Sequence, residues 1–385
     1  MVAQVAVADT QSVDDRELRR ARRWLWTAFA FFVAGVGVGS EWDRRWHGSH
    51  PFEDFWSPPH LFIYANVALA MGTVAYVALS PPLRRAFGQE LRWPVAPVPL
   101  PGPLAMLAIG LAGIGLAGAL DAIWHSTFGL DETAWSLPHA LLGHSILFAV
   151  WGFVSCRLAL QPRQPLIWFS ALLLGWALLA TAPELIGGPL LKNISPQTLQ
   201  AISALQVLAD DPRAQHTFRI YLAWHVDRTN PLSSLLAAFT VGLGLALLRA
   251  LLRRDRWVLA SAALVTAAPF LGNAQLGWAR LWLPLPFLWS ALVLAGAQRL
   301  GASPRWAWLL AGWACGVWWL AFVPRPGIAL LAGPAALAGA WTGSRIAQVI
   351  EQPTRRPVLT LAGIVAGLLP ALMGALDLYL RAKTP

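Results

Sequence analysis

The stretch 41–60, EWDRRWHGSHPFEDFWSPPH, holds three residues with the types and spacing of a metal site. Asp43 and His47 lie four apart, so they share one face if the helix entering from the preceding apolar run continues to residue 47. His60 follows in SPPH, where Ser57 suits a helix N-cap and Pro58 the first helical position, which places His60 in the first turn. The positive end of the helix dipole favours the neutral imidazole there, and neutral imidazole is the form that ligates metal. One carboxylate and two imidazoles suit copper, zinc or non-haem iron and leave coordination positions for water, oxygen or substrate.

The pattern recurs. Residues 119–139 read ALDAIWHSTFGLDETAWSLPH, which aligns Asp43 with Asp121, Trp46 with Trp124 and His47 with His125. After a one-residue insertion, Trp56, Ser57, Pro59 and His60 fall on Trp135, Ser136, Pro138 and His139. Each copy thus delivers a carboxylate and two imidazoles from the facing ends of an antiparallel helix pair. The plainer reading, in which these side chains pair with one another and anchor at the membrane interface, suits the four tryptophans. For Asp43, His47, His60, Asp121, His125 and His139 the repeated types and spacing favour metal. Whether the two triads make separate sites or one dinuclear centre is left open by spacing alone.

The elements that must position these residues are membrane helices. The chain has 385 residues, 57% hydrophobic and 12% charged, too few ionic groups to cover a soluble globule of that size. Its 29 Lys and Arg against 19 Asp and Glu fall in short clusters between apolar runs, a topology signal rather than a nucleic-acid footprint. Many of the 22 Trp suit the headgroup level. The two cysteines, Cys156 and Cys315, sit in apolar runs without CxxC spacing, so neither a disulfide framework nor a thiolate site is indicated.

The expected fold is all-α, a polytopic integral membrane bundle of about eleven spans with the duplicated helix-loop-helix unit near its N-terminus. The expected spans are 24–41, 58–80, 103–121, 138–157, 166–184, 231–250, 257–273, 280–298, 305–323, 327–347 and 357–380. They divide into a basic tail 1–23, the duplicated pairs 24–80 and 103–160, a middle part 161–256 with a long connection at 185–230, and a helical scaffold 257–385. Arginine clusters put the N-terminus in the cytoplasm of a multi-pass cell-membrane protein, against the trend of Arg44, Arg45, Arg213, Arg219 and Arg228. All eight histidines then fall on the outer side.

Further candidates are weaker. His144, five residues after His139, is an outer-level second-shell partner, a ligand of a neighbouring site, or a member of an interhelical hydrogen bond. Glu184 is an acid at membrane depth that completes a site, relays protons or snorkels to water. His50 reads as a loop residue, and His216 and His225 as parts of a solvated outer cap of short interfacial helices. The spans beyond 257 are nearly free of polar residues and read as scaffold or substrate corridor.

These residues resemble the C subunit of the copper membrane monooxygenases, the particulate methane and ammonia monooxygenases, over roughly 24–160. That subunit carries DxxxH with a second His thirteen residues after the first, as His47 and His60 do here, in a context matched by Asp43, Trp46, Asp54, Ser57 and Pro58. Its second triad, Asn, His and His with the histidines fourteen apart, is matched by Asp121, His125 and His139 with Asp for Asn. The resemblance implies two neighbouring copper sites near the outer face, one ligated by Asp43, His47 and His60 and the other by Asp121, His125 and His139. It implies oxidation of a small apolar substrate arriving through the lipid bilayer, with tryptophans excluding water and electrons and protons supplied from elsewhere. Additional subunits or a homo-oligomer belong to that expectation. The rival is a membrane transporter or metal-handling protein that passes ions or protons through the Asp/His clusters without oxygen chemistry.

Overall fold

The computed structural model describes residues 14–47, 55–94, 96–128, 136–160, 232–273, 287–320 and 326–383. The expected span 166–184, the connection 185–230, Glu184, His50, His216 and His225 lie outside them.

The described chain is overwhelmingly helical. α1 (Asp15–Phe32) opens behind Asp14, whose side chain accepts a hydrogen bond from the Arg16 amide, and carries Asp15 and Glu17 in its first turn, where the dipole favours anions. Its continuation, Val33–Gly39, is wound as a π-helix, after which α2 (Ser40–His47) resumes α-helical winding. α3 (Pro58–Leu79), α5 (Gly102–Phe128) and α6 (Leu137–Leu160) complete the N-terminal half, with the short α4 (Pro81–Arg85) between α3 and α5. The remaining helices are α7 (Leu232–Leu252), α8 (Asp255–Asn273), α9 (Phe287–Arg299), α10 (Pro304–Leu320), α11 (Pro326–Glu351), α12 (Arg355–Gly363) and α13 (Leu369–Lys383). A second π-helical stretch, Ile364–Leu368, joins α12 to α13.

α1, α3, α5 and α6 close a ring in which each packs against the next and α6 returns to α1. Its interior is aromatic. Phe153 of α6 meets Phe29 and Phe32 of α1 at centroid distances of 5.4 and 5.1 Å. Within this ring α5 and α6 approach most closely: a Cβ on Gly110 would lie 2.4 Å from the Ala149 amide nitrogen and one on Gly152 would lie 2.5 Å from Leu107 Cα. A separate set of packed helices, α7 to α11, is centred on α7 against α11, and α13 lies along α6.

Among the described residues, five helices are long and apolar enough to cross a membrane: Asp15–Asp43, Pro58–Leu79, Gly102–Trp124, Leu137–Leu160 and Arg355–Ala375. This is fewer than the eleven spans expected. The described parts of the other expected windows outside 166–184 also fall on helices, α7 to α11, which are not among those five, Ala237–Leu252 being a short apolar stretch. The expectation of helices alone also needs a small correction, because the connection 81–102 includes an antiparallel two-residue ladder pairing Glu90 with Pro101 and Leu91 with Leu100. Polar contacts fix that turn: Trp93 Nε1 donates to Leu100 O at 2.8 Å, and Arg84 Nε pairs with Glu90 at 2.9 Å.

Not every helical glycine serves packing. A Cβ on Gly72, mid-way along α3, would meet no atom within 4 Å. Gly72→Ala is therefore expected to raise stability by about 0.5–1 kcal/mol through reduced backbone entropy. Thermal unfolding of the purified protein in detergent checks it, a lowered midpoint counting against this placement of α3.

Candidate metal centre

The first Asp/His pair is assembled where α2 ends and α3 begins. α2 continues through His47, so Asp43 and His47 sit one turn apart on the same helix, although the His47 side chain lies outside the described residues. The π-helical segment before α2 is what brings this helix against α3. A Cβ on Gly35 would lie 3.0 Å from Ile63 O, and one on Gly39 would lie 2.5 Å from the Ile63 side chain, so only glycine permits the approach. Ser57 and Pro58 occupy the N-cap and first helical positions of α3 as expected, but the Ser57 hydroxyl makes no cap hydrogen bond.

His60, buried in the first turn of α3, has an acceptor at each ring nitrogen. Nδ1 lies 3.0 Å from the Phe55 carbonyl oxygen, and Nε2 lies 3.1 Å from Asp43 Oδ1. A carbonyl can only accept, so Nδ1 carries the hydrogen, and in the neutral ring Nε2 then presents a lone pair to a carboxylate. Either a proton, held by the ring or by the carboxyl, or a cation must lie between them. Two ligands each about 2.0–2.1 Å from one ion sit roughly 3 Å apart, which is the separation found. The Nδ1–carbonyl bond is also the arrangement that orients ligating imidazoles in metal sites.

The second pair is similar and looser. Asp121, in the last two turns of α5, is buried, and its Oδ1 lies 3.7 Å from Nδ1 of His139 in the first turn of α6. The Ser136 hydroxyl is 3.1 Å from the same Nδ1. Ser136 stands just before α6 at the expected N-cap position, yet its side chain serves the imidazole. The His125 backbone continues α5 one turn beyond Asp121, its side chain lying outside the described residues.

Two members of each expected triad are thus in place and the third is not described. Among the described residues no group of three or more His, Cys, Asp and Glu is gathered to hold a metal ion. His144, on α6, makes its hydrogen bond within its own helix rather than between helices: Nδ1 lies 2.6 Å from Ala140 O. Of the tryptophans, Trp124 is buried whereas Trp56 is 66% exposed, which fits an interfacial anchor and not a shield. Arg45, which ran against the charge trend, pairs with Glu41 at 2.8 Å one turn away.

Residues that spacing did not single out complete the surroundings. The Phe55 and Tyr64 rings stack with centroids 5.2 Å apart, and Phe55 lies 5.9 Å from His60. Tyr64 lies close enough to both Asp121 and Asp43 to feel their charge, and it packs against Gly118, one turn before Asp121. The signal was present as His60 and Tyr64 four apart, but an aromatic inside an apolar helix reads first as packing.

No family model, no curated protein and no solved structure matches this chain. The likeness to the copper monooxygenase subunit therefore rests on the motif residues.

Proposed function

We propose that the chain is an integral membrane metalloprotein whose eleven apolar segments cross the bilayer. In this reading two neighbouring Asp/His/His sites at the outer end hold copper. Asp43, His47 and His60 form one site, and Asp121, His125 and His139 the other. The observation that carries the reading is His60 with an acceptor at both ring nitrogens, one of them the Asp43 carboxylate, together with the same residue pairing in the second copy. An imidazolium–aspartate ion pair would satisfy the first copy alone. It leaves unexplained a second histidine one turn beyond each aspartate.

Copper, when bound, supplies oxygen activation for attack on a small apolar substrate entering from lipid. The protein's own contribution is to orient the imidazoles through Phe55 O and Ser136 Oγ, to bury Asp121 where its charge is little screened, and to hold the half-buried Asp43 against His60. All four described site residues lie at helix ends on one side of the ring, not along its middle, which favours a site at one face over a transmembrane ion path.

Elemental analysis of the purified protein tests the reading. His47→Ala, His60→Ala, His125→Ala and His139→Ala combined are expected to abolish bound copper, and unchanged copper content would refute it. A subsequent assay with reductant, oxygen and short alkanes or alkenes in nanodiscs separates oxidation from metal handling, product formation being expected here. By the resemblance, Asp121→Asn is expected to keep its ion, because the family has Asn at that place. Loss of one ion per chain in that variant would show that the second site depends on a charged ligand.

A further inference from the structure

Tyr64 stands where the two copies meet. It lies one turn beyond His60 on α3, and its ring stacks on Phe55 with centroids 5.2 Å apart and planes inclined by 25°. Phe55 is also the residue whose carbonyl orients His60 Nδ1. On its other side the Tyr64 ring covers Gly118 of α5, where a Cβ would come within 2.8 Å of Tyr64 Cε1. Gly118 precedes Asp121 by three residues, one turn of the same helix. The ring therefore touches the residue that holds a ligand of the first site and the helix turn that carries a ligand of the second.

Resting on the metal-site reading above, we propose that Tyr64 is a positioning residue shared by both sites, coupling them so that occupancy of one alters the geometry and affinity of the other. It acts through its neighbours. The His60 and Tyr64 rings do not stack, their centroids lying 6.1 Å apart with planes inclined by 47°. An ion between Asp43 and His60 fixes the imidazole, the imidazole fixes the Phe55 carbonyl, and the stacked ring transmits that placement to Gly118 and so to Asp121. The absence of a side chain at Gly118 is what lets the ring lie against the helix backbone. Neighbouring packed groups with two arrangements are the physical carriers of such coupling, which is typically worth about five-fold or more in affinity.

The test uses the full chain in nanodiscs, titrated with Cu(II) and followed by dialysis and electron paramagnetic resonance. In the wild-type background, Asp43→Ala should empty the first site, weaken or tighten the remaining site about five-fold and change its hyperfine pattern. With Tyr64→Leu in place, Asp43→Ala should no longer change the remaining signal. Tyr64→Phe, which keeps the ring, should behave as wild type. A second-site signal indifferent to Asp43→Ala in wild type, or a change that persists in Tyr64→Leu, or a Tyr64→Phe that behaves like Leu, overturns the proposal. Should Tyr64→Leu not fold, Gly118→Ala serves instead: its Cβ must displace the ring, so both site signals should change together, and a change at one alone is contrary. Failure of the metal reading is separately visible, because wild type would then bind no copper at all.

Discussion

Asp43→Ala is expected to halve the copper content of the purified protein and to remove about half of the stabilisation that copper confers. The reasoning begins with the metal-free state. His60 is buried, and the substitution deprives its Nε2 of the carboxylate 3.1 Å away while leaving Nδ1 on the Phe55 carbonyl. Losing one partner of a buried polar pair costs roughly 1–3 kcal/mol, so the stripped variant should unfold somewhat below wild type. Copper adds a second difference. An ion that binds only the folded state stabilises it by about 2.7 kcal/mol at a free concentration of 100 Kd, and a variant with one site gains one such increment where wild type gains two. The gap between variant and wild type should therefore widen on adding copper. Elemental analysis and unfolding midpoints with and without copper measure both parts. If the gap stays constant and copper content is unchanged, Asp43 is a structural ion-pair partner and not a ligand.

What the sequence made legible here was local. The starts of α3 and α6 followed from Ser57 with Pro58 and Ser136 with Pro138, whereas the expected spans stopped at 41 and 121 and a shared face for Asp43 and His47 depended on the helix continuing, which it does. Side-chain roles at those same positions were not legible. Ser57 and Ser136 stand in closely similar contexts, WSPPH and WSLPH, yet Ser136 contacts an imidazole while Ser57 makes no cap bond. The π-helical winding of VAGVGVG was equally hidden, because apolarity is insensitive to which carbonyl an amide chooses. In hindsight Gly35 and Gly39 were a trace of the packing there, since they are where α3 comes too close for a side chain, whereas a Cβ on Gly37 would meet only Val33 of its own helix.

Neighbour relations among helices were hidden for a related reason. α5 and α6 are apolar on all sides, so no stripe names the face that packs and the face that meets lipid. The ring of α1, α3, α5 and α6, and with it the meeting of both Asp/His pairs at Tyr64, could emerge only from the packed structure. Span number suffered differently. Among the described residues five helices pass on length and apolarity together, and length alone does not separate them from α7 or α11.

Gly152→Leu should disrupt the second site without touching it. Gly110 and Gly152 face the opposite helix backbone, with Ala149 and Leu107 main-chain atoms where their Cβ atoms would be. A side chain that meets a flexible neighbour can be accommodated, but backbone can yield only by moving the whole helix. Overpacking a well-filled core costs about 1–3 kcal/mol, and the rigid contact here puts Gly152→Leu at or above the upper end. The consequence for chemistry follows from helix length. Gly152 is thirteen residues from His139 on α6, about 20 Å along a helix, so a forced separation at the crossing is carried to the end where Asp121 and His139 now stand 3.7 Å apart. We therefore expect Gly152→Leu to lower the unfolding midpoint markedly and, in whatever fraction remains folded and monodisperse, to lose the second copper before the first. Gly152→Ala should do the same to a lesser degree, and Gly72→Ala, where a Cβ meets nothing within 4 Å, should do neither. Size-exclusion chromatography with copper analysis of the folded peak decides the matter: a Gly152→Leu protein that retains both ions and its full stability would mean that α5 and α6 do not cross at these glycines.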